Sequence, residues 1–72
     1  MLTEEIGAVI RARRHEGGMT IPDVAAAARC SYATVAHLEL GRHLPALRTV
    51  VAICDVVGVS AVERARIMGA EL

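Results

Sequence analysis

Short signals that start and stop helices recur along the whole chain, and they constrain its fold more than any other feature. "TIPD" at 20–23 offers Thr20 as a cap, Asp23 three residues later and Pro22 in the first turn. Ser31 is a second cap, and "SAVE" at 60–63 sets Ser60 against Glu63 in another capping box. Stops fall between them, at Gly17 with Gly18, at Gly41 and at Gly58, and Pro45 marks a further start. At the N-terminus, Thr3 is placed to cap a first helix, with Glu4 and Glu5 in its opening turn. Arg11, Arg13 and Arg14 lie toward its end, where cations suit the helix dipole. Ile6, Val9 and Ile10 repeat at helical spacing, and few residues favour strands at period two. The expected fold is all-α, with five short helices.

Composition narrows this further. Hydrophobic residues make up 54% of the 72-residue chain, which suits a folded globule. The length fits a single domain spanning 1–72, with a small core and no separate ligand domain. Tyr32 is the sole aromatic residue, so the core has to be Val, Ile, Leu, Ala and Met. "LRTVVAICDVV" is expected at its centre, through Leu47, Val50, Val51, Ile53, Cys54 and Val57. No apolar run approaches the ~18 residues of a membrane span, and the N-terminus is acidic where a signal peptide is basic. Cys30 and Cys54 sit in apolar surroundings and read as reduced thiols of a cytoplasmic protein.

Eight basic residues, all Arg, balance eight acidic ones, which argues against strong non-specific binding to nucleic acid. Their distribution is more informative. From Arg29 to Arg48 there are three Arg, two His and a single acid, Glu39, so a basic strip is expected on a neutral protein. Cys30, His37 and His43 have the wrong spacing for a compact zinc site. Neither a nucleophile–base arrangement nor a phosphate loop is present, so no enzyme activity, metal or cofactor is expected.

The stretch from Met19 to Ser60 resembles the helix-turn-helix domain of the Cro/cI-type (XRE-like) regulators. The family pattern falls on Met19, Thr20, Val24, Ala25, Ser31, Val35, Glu39, Gly41, Pro45, Leu47, Gly58, Val59 and Ser60. The joint spacing of these residues is more specific than any one of them. The resemblance implies a lambda-repressor-like fold in which helices 2 and 3 form the DNA-reading unit. Helix 3, about residues 31–40, would then lie in the major groove of double-stranded DNA. It also implies a structural pair between Arg14 and Glu39. Three positions depart from the family: Arg29 stands where Gly is usual, Ile21 where Gln contacts phosphate, and Ala46 where Ser or Thr caps.

Helical geometry then divides the third helix. Val35 and Leu38 turn toward the core, while Tyr32, Ala33, Ala36, His37 and Leu40 face outward. Tyr32, Ala33, Ala36 and His37 are the candidate base contacts. Two of these can hydrogen-bond, and the alanines can touch thymine methyls. Thr20, Arg29, Ser31, Arg42, His43 and Arg48 are the candidate phosphate contacts. The function expected is a sequence-specific transcriptional regulator of bacterial or phage type, acting as a homodimer on a two-fold operator. Val62, Ile67, Met68 and Leu72 exceed what so small a core covers, and offer a partner surface in the C-terminal segment. The alternative is an interaction module, antitoxin-like or adaptor, in which DNA contact is secondary; neutral charge and Ile21 favour it.

Overall fold

The structure, a computed structural model, describes residues 2–69. Five α-helices follow in order: α1 Leu2–Glu16, α2 Ile21–Ala28, α3 Tyr32–Glu39, α4 Leu47–Val57 and α5 Ala61–Met68. Both capping boxes form, Thr20 with Asp23 and Ser60 with Glu63. The first helix starts earlier than its sequence signals. It is already helical at Leu2, so Thr3 lies within the first turn and is not the cap. Burial of Ile6, Gly7 and Ile10 holds that turn in place of a local signal. No described helix is long and apolar enough to cross a membrane.

The first four helices end in a common closure. Beyond each end, one backbone N–H reaches back five residues to a carbonyl: Met19 to Arg14 (3.0 Å), Cys30 to Ala25 (3.0 Å), Arg42 to His37 (2.9 Å) and Val59 to Cys54 (2.8 Å). The residue before each of these donors takes a left-handed conformation. Glycine fills that position after α1, α3 and α4, whereas Arg29 fills it after α2, at φ +57°.

The core is aliphatic throughout. Val50, Ile53, Cys54 and Val57 line one face of α4. They meet Ile6 and Ile10 of α1, Val24 of α2, Val35 and Leu38 of α3, and Val59. Three sequence expectations are corrected here: Val51 is only half-buried and stands outside the core cluster, on the side of α4 turned from Val50, Ile53 and Cys54. Leu47 is 43% exposed, because the first turn of α4 projects past the cluster that buries Val50. Met68 is buried at 6%, because α5 folds back against α1 and delivers its last turn to the core. Ile67 packs beside the core, Val62 is 60% exposed, and Leu72 lies outside the described residues. Burial pushes the free thiols of Cys30 and Cys54 up from their ordinary range.

Two contacts position α1. Arg13 forms a forked pair with Glu63 of α5, with Nη1 3.0 Å from Oε1, and Nη1 also donates to the Gly58 carbonyl at 3.2 Å. Arg13, followed by the Ser60 backbone N–H, holds the Glu63 carboxyl below the usual carboxylate range. On the opposite side, Gly7 lets α1 meet α3 backbone to backbone. A Cβ there would stand 3.1 Å from the Leu38 carbonyl carbon and 3.2 Å from the Glu39 Cα, with the Leu38 oxygen closer still.

Gly7→Ala separates these effects. At an unhindered helix site the change gains about 1 kcal/mol in helix propensity. Here overpacking against backbone outweighs that gain, and a net loss of about 1–3 kcal/mol is expected in urea denaturation. A rise in the midpoint would show that α1 and α3 are not in such close contact.

Candidate nucleic-acid interface

Residues 20–39 fold as helix, turn, helix. Thr20 opens α2: its Oγ1 accepts from the Asp23 N–H (3.1 Å) while its own N–H donates to Asp23 Oδ2 (2.9 Å). The backbone bond lowers the Asp23 carboxyl pKa. Ser31 opens α3 by accepting from the Thr34 N–H at 3.0 Å, with the two hydroxyls 2.8 Å apart. Between these caps Arg29 is exposed, its left-handed backbone closing α2. Thr20 and Ser31 therefore stand at helix N-termini, where unpaired N–H groups and the dipole favour an anion.

The second helix of the unit is locked by a buried charge pair. Arg14 Nε donates to Glu39 Oε2 at 2.7 Å and Nη2 donates to Oε1 at 2.9 Å, a bidentate geometry. Nη1 donates to the Met19 carbonyl at 3.0 Å, so one guanidinium joins α1, the loop into α2 and the end of α3. The two side chains are only 9% and 4% exposed. The hydrogen bond to Glu39 holds the Arg14 pKa above its ordinary value, against the opposing effect of burial. Beside the pair, Gly41 lies over α1; a Cβ there would be 2.6 Å from Glu4 Cγ.

This lock turns one face of α3 inward and the other outward. Val35 and Leu38 are fully buried. Tyr32 is 58% exposed, Ala33 and His37 are exposed, Ala36 is half-buried, and Leu40 beyond the helix is 57% exposed. The four candidate base contacts thus share one surface. Arg42 and His43 are exposed in the loop after Gly41, and Arg48 is exposed in the first turn of α4. Arg29 stands apart from those three, at the other end of α3.

The sequence reading did not single out a groove between α1, α2 and α3, lined by Arg11, Ile21, Tyr32, Ala36 and Leu40 above the Arg14–Glu39 pair. Its residues come from three helices, and no local pattern announces them. Ile21 is half-buried there, its side chain against the core.

Comparison with known proteins agrees with this geometry. Residues 5–67 match the helix-turn-helix domain family. Two crystal structures of the clp gene regulator ClgR from Corynebacterium glutamicum superpose with a TM-score of 0.79 at 30% identity. One match covers 94% of this chain and 77% of the ClgR chain, the other 96% and 94%. No curated protein matches in sequence.

Two stability experiments follow from the geometry. Removing one partner of a buried pair strands the other, so Glu39→Ala should cost about 3 kcal/mol. Arg14→Ala should cost a similar amount, and the double mutant should show a coupling of about 0.5–3 kcal/mol. Additive losses would mean that the charges do not interact. Arg29→Gly should do the opposite. Relief of the left-handed penalty, about 1–2 kcal/mol, exceeds the ~0.5–1 kcal/mol entropy cost of glycine. A net gain of about 0.5 kcal/mol is expected from the denaturation midpoint, and a loss would show that the arginine side chain stabilises the turn.

Proposed function

The chain belongs to the helix-turn-helix domain family, and from that premise we propose that it is a sequence-specific DNA-binding transcriptional regulator of bacterial or phage type. The observation that carries this reading is the two-sided character of α3: one side fixed by Val35, Leu38 and the Glu39 pair, the other presenting Tyr32, Ala33, Ala36 and His37 to solvent. In the major groove this outward side meets base edges. Tyr32 and His37 supply hydrogen bonds, and Ala33 and Ala36 meet thymine methyls. Thr20, Arg29, Ser31, Arg42, His43 and Arg48 contact the two strands on either side.

The regulator acts as a homodimer on a two-fold operator. So few base contacts per copy call for a second copy. The described fold measures 30 × 21 × 18 Å, small enough for two copies to sit side by side at half-sites roughly 34 Å apart. The exposed Val62 on α5 is the surface we assign to the partner. A second reading, an interaction module, draws on the exposed Tyr32 and Leu40 and on zero net charge.

Two substitutions separate reading from positioning and test both readings. Arg42→Ala should weaken binding to all sequences about equally and reduce the salt slope by about one per protomer. His37→Ala should relax preference at one base pair of each half-site by about 1–3 kcal/mol and leave the slope nearly unchanged at a pH where the imidazole is neutral. Titrations on matched and mismatched duplexes at several salt concentrations measure this. If both mutants bind like wild type, α3 does not face DNA and the interaction module takes precedence.

A further inference from the structure

The groove beside α3 carries an unassigned cation. Three arginines crowd the second half of α1. Arg13 is committed to Glu63 and Arg14 to Glu39, while Arg11 takes part in neither pair and is exposed. Arg11 lines the groove together with Ile21, Tyr32, Ala36 and Leu40. The other charges in its lining, Arg14 and Glu39, neutralise each other at hydrogen-bond distance. Among the described residues, one positive charge outside both ion pairs therefore borders a groove whose remaining walls are largely apolar. The walls formed by Ile21, Tyr32, Ala36 and Leu40 bring no carboxylate to compete with an anion for this charge.

The position of this charge is informative. Tyr32 and Ala36 belong both to the groove and to the outward side of α3, so the groove opens beside the surface assigned to base edges. Ile21, at the start of α2, occupies the same groove, and its side chain cannot hydrogen-bond a phosphate. We propose that Arg11 makes a strand contact from α1, across the groove, where Ile21 offers none. The ligand group is a DNA phosphodiester flanking the half-site. Arg11 is then a positioning residue: it adds affinity without sequence preference. This inference rests on the DNA-binding reading above.

Arg11→Ala and Arg11→Lys, beside Arg42→Ala, test it on sheared duplex DNA of mixed sequence and on a duplex selected by the wild-type protein. Arg11→Ala should reduce the salt slope by about 0.9 per protomer, so that the deficit of the mutant dimer against wild type shrinks by about tenfold between about 50 and 200 mM salt. The ratio of affinities for selected over mixed DNA should not change, and Arg11→Lys should keep the wild-type slope. An unchanged slope for Arg11→Ala, alongside a reduced slope for Arg42→Ala, overturns the role of Arg11 and leaves the regulator reading intact. A changed selected-to-mixed ratio overturns it as well, since that is base reading. Failure of the wild-type protein to select or bind any duplex overturns both. Far-ultraviolet circular dichroism that matches wild type excludes misfolding as the source of a deficit.

Discussion

The buried contact between Arg14 and Glu39 is the constraint on which the rest of the molecule depends. An eight-residue helix such as α3 is not stable alone. Val35 and Leu38 hold it to the core, but two apolar side chains leave its rotation and tilt loosely defined. A planar guanidinium bound at two points to a carboxylate defines both. The same guanidinium takes the Met19 carbonyl, so the entry to α2 is fixed by the group that fixes the end of α3. Desolvating two charges offsets much of their attraction, so a pair of this kind contributes orientation more than net stability.

The aliphatic core sets the terms for the other contacts. Without a buried aromatic ring, the helices fill space by approaching closely. Gly7 beneath the Leu38 carbonyl and Gly41 over Glu4 are the sites where that approach reaches backbone distance. Both lie between α1 and the end of α3, next to the charge pair. The smallest residues and the most polar contact thus occupy one junction, and each depends on the other: the close approach aligns the arginine, and the arginine holds the close approach.

Much of this was legible in the sequence where the cause is local. Thr20 with Asp23, Ser60 with Glu63, and Ser31 each mark a helix start by chemistry confined to a few residues. Features that depend on distant neighbours were not legible. Leu47 and Met68 are both apolar and both belong to helices, yet one is exposed and the other buried, because only the position of other helices decides. Arg13 and Glu63 stand 50 residues apart with no periodic link. Gly7 carries no local signal for its role, because the Leu38 carbonyl that requires it belongs to another helix. On α3, helical periodicity separated the outward side from the inward one. The groove with Arg11 went unseen because three helices build it.

The alanines on the outward side of α3 have a consequence for the history of such a protein. Ala33 is exposed and Ala36 half-buried, and neither is part of the packed core. Replacement of either by glutamine or arginine retains most of the intrinsic preference for helix. Such changes leave the charge pair, the caps and the close approach at Gly7 untouched. Under the proposed DNA-binding reading, target choice and foldability are therefore separable traits in this chain: a lineage can drift to new binding sites through two positions without first acquiring a reserve of stability.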